Sequence, residues 1–558
     1  YIKPAYKDQL PEREKVSIEK IKFFDPCAGS CHILSYAFDV FYSIYEEQGY
    51  NASEIPGLII KNNLYGAEID ERAAQLASFV ILMKGREKYR RFFNQIKKQN
   101  IQPNIVAYQN FEEDDKFNNA TVLGSLINIE PSKKITANIE EGTLFAEKQK
   151  ALKSQYQILG ERYDIVVTNP PYINSSRMEK SLKEYVNENY PDTKSDLFAT
   201  FILRCLELCK SDGLTGYMTP FVWMFISSYE KLRKGIINNH FINNLIQLEY
   251  SGFDGATVPI CTFTLRKNAF KDARGSYIRL SDFKGSENQA PKTLEAIQNP
   301  QCGWFYTANQ KDFEKIPGSP IGYWLSEHSL AIFEKSIPLE EIASPRQGLA
   351  TTDNERFVRF YFEVSRDRFI VNITRDVAIQ SHYKWFPFNK GGEFRKWFGN
   401  INYVVDWENN GRSIKSNILR RYSYLKTPDF VAKNQELYFR EGITWSAISS
   451  GTLSVRKQDC GVIFSNAGMV MFPNKTNLAS CYVLNTKISK VFLSVLSPTL
   501  NFNAGSLALF PIKIVVCDSI SNNIDICINI SKTDWDSRET SWDFKQNELI
   551  RGSPNLFL

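Results

Sequence analysis

From Ile21 to Lys267 the apolar positions alternate between two patterns. Short runs rich in β-branched residues suit strands buried on both faces. Longer stretches with an apolar residue every three or four positions suit amphipathic helices. Strands are predicted at Ile21 to Asp25, Leu64 to Asp70, Asn104 to Tyr108, Tyr163 to Thr168, Gly213 to Thr219, Asn243 to Tyr250 and Pro259 to Lys267. After the second of these, "ERAAQLASFVILMKGREKYRRFFNQIKKQ" carries the helical period. Strands that alternate with helices pair in parallel through crossover connections, so the fold class is α/β, with a mostly parallel, doubly wound sheet.

The pattern changes further along. From Asp272 to Glu334 the texture turns to Gly, Pro, Ser, Asn and Lys, centred on "GSENQAPKTLEAIQNPQCGWF", which predicts an irregular connector. From Ile337 to Val516 aromatic and β-branched residues dominate, broken by "NKGGEF", "WENNG" and "ISSGTLS". That texture predicts a mixed α/β unit, mostly strand with some helix. The expected ranges are a first domain over 1–270, a connector over 271–335, a second domain over 336–516 and the opening of a further region over 517–558.

Composition narrows the classes without naming the chemistry. A length of 558 residues fits two or three domains, and 43% hydrophobic with 23% charged residues fits a folded globular chain. The net charge of +6 is compatible with a polyanionic partner and does not identify one. Ten scattered cysteines lack the density of a secreted disulfide scaffold, which favours a reducing cytoplasm. The most apolar stretch, Leu507 to Cys517, is short and interrupted by Lys513, so no membrane segment is expected. The opening "YIKPAYKDQLPEREK" reads as the interior of a longer chain.

Three strand ends carry candidate chemistry. In "FFDPCAGSCHIL" a strand enters a glycine-containing turn and then a helix, where backbone amides can meet a polar or anionic ligand group. In "NNLYGAEID" a strand ends in Glu68 and Asp70, and a carboxylate there can accept both hydroxyls of a ribose. Taken singly, a plain turn and an acidic helix start explain these two motifs as well. The third, "YDIVVTNPPYI", ends a buried strand in Asn169, Pro170, Pro171 and Tyr172. Two prolines stiffen the backbone, so the Asn169 amide oxygen and the Pro170 carbonyl can converge on one point. An exocyclic amine, with two hydrogens to donate, fits that pair. Tyr172 adds a flat face for a base that has left its stack.

In order and spacing these segments resemble the γ-class adenine-specific DNA methyltransferases. The resemblance implies a Rossmann-like class I domain that transfers methyl from S-adenosyl-L-methionine to N6 of a flipped adenine. It implies Asp25, Pro26, Gly29, Glu68 and Ile69 around the cofactor and Asn169, Pro170, Pro171 and Tyr172 as the catalytic set. "SDLFATFI" resembles the motif that places an aromatic ring beside the cofactor, which nominates Phe201. Asn110, after the third strand, takes the place of a residue that bonds the cofactor adenine, where the family often has Asp. "YSGFDGATVPICTFTLRK" resembles the motif whose aromatic packs on the flipped adenine, which nominates Phe253. Longer stretches, among them "EIPGLIIKNNLYGAEIDERAAQLASFVILMKGR", "RQGLATTDNERFVR", "WFPFNKGGEFRKWFGN" and "DWDSRETSWDF", are similar to the PglX methyltransferases of BREX phage-defence systems. This implies a cytoplasmic bacterial enzyme that marks host double-stranded DNA and works with other defence proteins. It also implies target recognition by residues 336–516 and the start of a C-terminal spacer at 517–558.

The family's "DPACGSGH" reads "DPCAGSCH" here, with Cys31 in place of a glycine. At positive φ a residue with a Cβ costs about 1–2 kcal/mol, and weakened cofactor affinity is expected. Cys27, Cys31 and His32 invite a metal reading. However, structural zinc takes four ligands, and His32, His240, His328 and His382 form no ligand-spaced set with the cysteines, so no metal is expected. In "SHYKWFPFNKGGEFRKWFGN", Lys384, Lys390, Arg395 and Lys396 alternate with Trp385, Phe386, Phe388 and Trp397. That mixture suits phosphate contacts and stacking, and equally a charged face over an aromatic core. Three other functions stay open: methylation of a protein glutamine, the methyltransferase part of a fused restriction-modification enzyme, and a catalytically weak DNA-binding specificity protein. No PD…(D/E)xK nuclease arrangement stands out in the chain.

Overall fold

A computed structural model describes residues 16–130, 144–250, 252, 258–270, 272–449, 451–498, 501–514 and 517–547. The chain divides into two compact units, Tyr1–Trp324 and Leu325–Leu558.

The seven predicted strands of the first unit all form: β1 (Phe23–Asp25), β2 (Leu64–Glu68), β3 (Asn104–Ala107), β4 (Tyr163–Thr168), β5 (Cys209–Pro220), β6 (Phe241–Gln247) and β7 (Ile260–Arg266). They lie in the order β3-β2-β1-β4-β5-β7-β6. β1 to β5 run parallel, and β7 runs antiparallel between β5 and β6. This is the Rossmann-like arrangement of class I methyltransferases. Strand order reverses between β1 and β4, and right-handed crossovers leaving in opposite directions open a crevice at the carboxyl ends of those two strands. The base of the crevice is tightly packed. A Cβ on Gly66 in β2 would stand 2.8 Å from Leu34 of the helix His32–Glu47, so the glycine lets that helix close on the sheet.

Residues 274–309 are not the irregular connector that composition predicts. Arg274–Arg279 forms β8 and Phe305–Asn309 forms β9, with the helix Ser286–Gln298 between them. β8 runs parallel to β6 and β9 antiparallel to β8, extending the sheet to nine strands. The misleading residues sit in the joints: Gly285 and Gly303 take φ +89 and +93, and Pro291 lies inside the helix. The burial that decides the matter is compact. Ile278, Leu280 and Ala296 pack with Trp304 and Phe305, and Tyr277 stacks on Tyr323 at 4.7 Å.

The second unit is mixed α/β. Its strands are β10 (Ile337–Pro338), β11 (Ala343–Arg346), β12 (Val358–Phe360), β13 (Trp385–Asn389), β14 (Tyr403–Asp406), β15 (Gly442–Ser446), β16 (Val455–Gln458), β17 (Ile463–Phe464), β18 (Gly468–Pro473) and β19 (Pro511–Ile512). Two four-stranded sheets, β11-β18-β15-β16 and β12-β14-β13-β17, accompany a β10-β19 pair. The basic and aromatic run at 381–400 is largely engaged inside this unit. Phe386 and Phe388 are core residues, and Lys384 pairs with Asp406 at 3.5 Å. Arg395 pairs with Asp534 at 2.6 Å, and Lys396 Nζ donates to the Asn485 carbonyl. These contacts favour the charged face over an aromatic core. Residues 517–558, expected to open a spacer, begin with the helix Asp518–Asp536, whose Asp534 makes that pair with Arg395. No helix among the described residues is long and apolar enough to cross a membrane.

Candidate active site

The carboxyl end of β1 carries Asp25 into full burial, where Oδ1 accepts the Cys27 N–H at 3.0 Å. Burial pushes its carboxyl up to about 7; the Cys27 amide and the Thr168 hydroxyl oppose the rise, and the Glu68 charge adds to it. Beyond it, Gly29 takes φ +50, with nothing within 4 Å of where a Cβ would stand. The Gly29 N–H donates to Glu68 Oε2 at 2.9 Å, while Glu68 Oε1 accepts from the Ile69 and Asp70 amides at 2.8 and 3.1 Å. One carboxylate at the end of β2 therefore fixes the turn after β1.

Cys31 has φ +80, so the left-handed backbone that its replacement of glycine raised as a concern is present. Its side chain is fully buried in the core with Leu34, Phe38 and Ile59, away from the open space beside Gly29. Burial, with the Asp25 charge, pushes its thiol up to about 12. Among the described residues no three His, Cys, Asp or Glu side chains gather into a metal-binding group.

The turn after β4 exposes Asn169 and Pro171 and buries Pro170. The Tyr172 hydroxyl lies 2.9 Å from Asn169 Oδ1 and 3.1 Å from the Met218 carbonyl of β5, so one proton is shared between two acceptors. Burial pushes this hydroxyl up to about 12, which keeps it a donor at neutral pH. The ring meets Phe198 edge-on at 6.2 Å, and Phe198 meets Tyr229 at 5.6 Å. "SDLFATFI" is stitched to the same turn: Leu197 N–H donates to the Ile173 carbonyl, Ser175 N–H to Ser195, and Asp196 caps the helix Leu197–Leu208 through the Phe198 amide. Phe201, on that helix, packs in the cluster that Cys27 also touches. Asn110 is exposed, and its amide oxygen accepts from the Thr121 N–H and hydroxyl at 2.9 and 3.2 Å, so it fastens the loop beyond β3. Phe253 lies outside the described residues.

The site has members that the motifs do not disclose. The Pro26 carbonyl accepts the Ser125 hydroxyl at 2.7 Å, and Ser125 meets the Tyr108 hydroxyl at 2.9 Å. Arg204, fully buried, donates to the Ser125 and Ile127 carbonyls. Arg233, also buried, donates to the carbonyls of Trp223, Ile226, Gly318 and Ser319 and so clasps the turn after β5 to a segment of chain beyond β9. Burial lowers the pKa of its guanidinium to about 10. Ser125, Arg204 and Arg233 had no signal in the sequence, whereas Phe198 beside Tyr172 did, three positions before Phe201 in the same motif.

The family described as Eco57I restriction-modification methylase matches residues 62–253, from the end of the first crossover past β6. Over 99% of its length the chain is 35% identical to "Adenine-specific methyltransferase PglX" of Lacticaseibacillus casei (strain Zhang). The chain is a relative of PglX. It is also 32% identical over its full length to "Adenine-specific methyltransferase BrxX" of Escherichia coli O9:H4 (strain HS). It covers 49% of PglX and 50% of BrxX, so it spans about half the length of these relatives. Among solved structures, the ATP-dependent Type ISP restriction-modification enzyme LlaBIII bound to DNA shares the fold, with a TM-score of 0.52 at 12% identity, over 93% of this chain and 37% of that one. The resemblance carried by the motifs thus extends to PglX and BrxX along the whole chain.

Proposed function

We propose that the chain methylates N6 of adenine in double-stranded DNA using S-adenosyl-L-methionine. The observation that carries this reading is the Asn169-Pro-Pro-Tyr172 turn at the end of β4, next to the β1 end that buries Asp25, at the point where strand order reverses. The residues fit the cofactor. The turn at Gly29 leaves room for a ligand, Glu68, which already accepts from the Gly29, Ile69 and Asp70 amides, keeps one lone pair for a hydroxyl group, and a buried carboxyl that makes no ion pair among the described residues suits a ligand that carries positive charge. When bound, the cofactor supplies an electrophilic methyl group.

The protein's part is positioning and electrostatics. The Asn169 amide oxygen and the Pro170 carbonyl accept the two amine hydrogens, which favours a pyramidal nitrogen and stabilises the charge developing on it. The Tyr172 hydroxyl can give up Asn169 to the arriving amine because the Met218 carbonyl remains as its acceptor. Tyr172 offers its face to the base, with Phe198 and Tyr229 behind it; Phe201 packs beside the cofactor turn, Asn110 holds the loop beyond β3 that would meet the cofactor adenine, and the resemblance gives Phe253 the role of the aromatic on the target base. Kinship with PglX supports marking of host DNA in the cytoplasm alongside other defence proteins. The match to a restriction-modification family supports a second reading, modification within a restriction enzyme, which a cleavage assay on unmethylated DNA separates.

Incubation with tritiated cofactor and DNA, followed by sequencing for methylated adenine, tests the reading. Asn169→Ala is expected to lose turnover by at least about a thousandfold while calorimetric cofactor affinity stays within about twofold. Unmodified DNA under every partner condition would sink the proposal.

A further inference from the structure

One helix of the second unit presents an outer face that carries cations without ion pairs among the described residues, although Arg420 Nη2 donates to Asn417 Oδ1 at 2.7 Å. Residues 409–428 hold five cations, Arg412, Lys415, Arg420, Arg421 and Lys426, and no acid. Three successive left-handed residues, Asn409, Asn410 and Gly411, interrupt the helix Glu408–Arg421, so its regular part runs over 412–421. The inner face is fixed. Ile414 and Ile418 are fully buried with Phe386, Trp407 and Tyr438, Asn417 Nδ2 donates to Thr352 Oγ1 at 3.0 Å, and Arg421 donates to the Thr352 carbonyl. Lys415 leans over the Trp407 ring at 5.1 Å.

At 100° per residue the opposite face is Leu419, Arg412 and Ser416, with Arg420 and Ser413 at its margin, all exposed. Among the described residues none of Arg412, Arg420, Arg421 and Lys426 makes an ion pair. A solvated helix ordinarily offsets its cations with acids three or four positions away, and like charges at that spacing destabilise it. The helix Lys487–Leu496 also lacks an acid but carries only two lysines, whereas Asp518–Asp536 has four aspartates against one lysine.

We propose that the outer face of residues 412–421 is the surface by which the second unit grips duplex DNA, with Arg412 and Arg420 on phosphates at the edges of a groove. A polyanion relieves the repulsion among the uncompensated cations. Ser416 is the small residue between the two arginines, Leu419 beside Arg412 adds an apolar contact of the kind a thymine methyl accepts, and the major groove has the width to admit a helix. Lys426 and Tyr424, the latter 77% exposed, extend the same surface past the end of the helix. This assignment rests on DNA being the substrate and goes beyond the methyl-transfer turn in naming a surface on the other unit.

Fluorescence anisotropy of a labelled duplex with the whole chain, across a salt series, reads the slope of log affinity against log salt. In Arg412→Ala/Arg420→Ala the slope is expected to fall in magnitude by about two, one for each lost phosphate contact. A melting curve by circular dichroism that matches the wild type certifies the fold of the second unit. Lys487→Ala/Lys490→Ala, on the other basic helix, keeps the original slope. An unchanged slope in the arginine pair overturns the assignment and leaves the methyl-transfer reading standing, whereas a wild-type chain that binds no duplex overturns both.

Discussion

Asp25, Cys31 and Tyr172 each combine a legible identity with a setting that only the fold supplies. Asp25 is readable as a strand-end acid, but its titration is not, because full burial comes from neighbours on β2 and β4. Its carboxyl sits far above its ordinary range, so between about pH 4 and 7 the folded state holds a proton that the unfolded chain lacks. Stability therefore falls as pH rises through that window and levels above it. A bound cation favours the ionised form. Cofactor affinity should accordingly rise about tenfold from pH 6 to 8, measured by calorimetry, and stay flat in Asp25→Asn; parallel profiles for the two proteins would remove the role. At Cys31 the αL backbone and the buried thiol pull in opposite directions. Cys31→Ala loses the thiol packing and keeps the strain, whereas Cys31→Gly also relieves about 1 kcal/mol of it. In urea denaturation the glycine variant should be at least as stable as the alanine variant, although it deletes more. Tyr172→Phe keeps the ring and loses the hydroxyl that orients Asn169, so kcat should drop about five- to tenfold with little change in KM for DNA; a rise in KM alone would point to base binding instead.

At the scale of elements, legibility followed burial. β1, β2 and β4 to β7 lie inside the sheet, with β3 at its edge, and their β-branched runs stand out, so the positions of the seven emerged to within a few residues. The NPPY turn was legible for the same reason, since two prolines after a buried strand are costly and conspicuous. β8 and β9 were not, because their hydrophobic partners arrive from Trp304, Phe305 and Tyr323, and a proline and two glycines mask the helix between them. Arg204 and Arg233 were also silent, since a buried polar group is recognised by partners tens of residues away. A chain ending at residue 270 would strip β8 from β6 and leave β6 without the four residue pairs that join them. It should melt well below a chain ending at Trp324, or fail to fold, by circular dichroism; equal melting temperatures would mean that the sheet is complete at seven strands.

At the scale of the molecule, the modest net charge of +6 conceals a local field, five cations without an acid over residues 409–428. Average charge therefore says little about where a polyanion would sit. Identity along the whole chain, together with coverage of half of each relative, makes the two units the natural objects for assays of cofactor and DNA binding. The Arg233 clasp has a bearing on synthesis as well as on architecture. Asp25, Glu68 and the turn at Asn169 emerge from the ribosome early, but Gly318 and Ser319 follow Arg233, which needs them, by 85 and 86 residues. At roughly 5–20 residues per second that is a wait on the order of ten seconds. During it a buried guanidinium lacks half of its acceptors, so the turn after β5 is a part of the first unit that a nascent chain completes late.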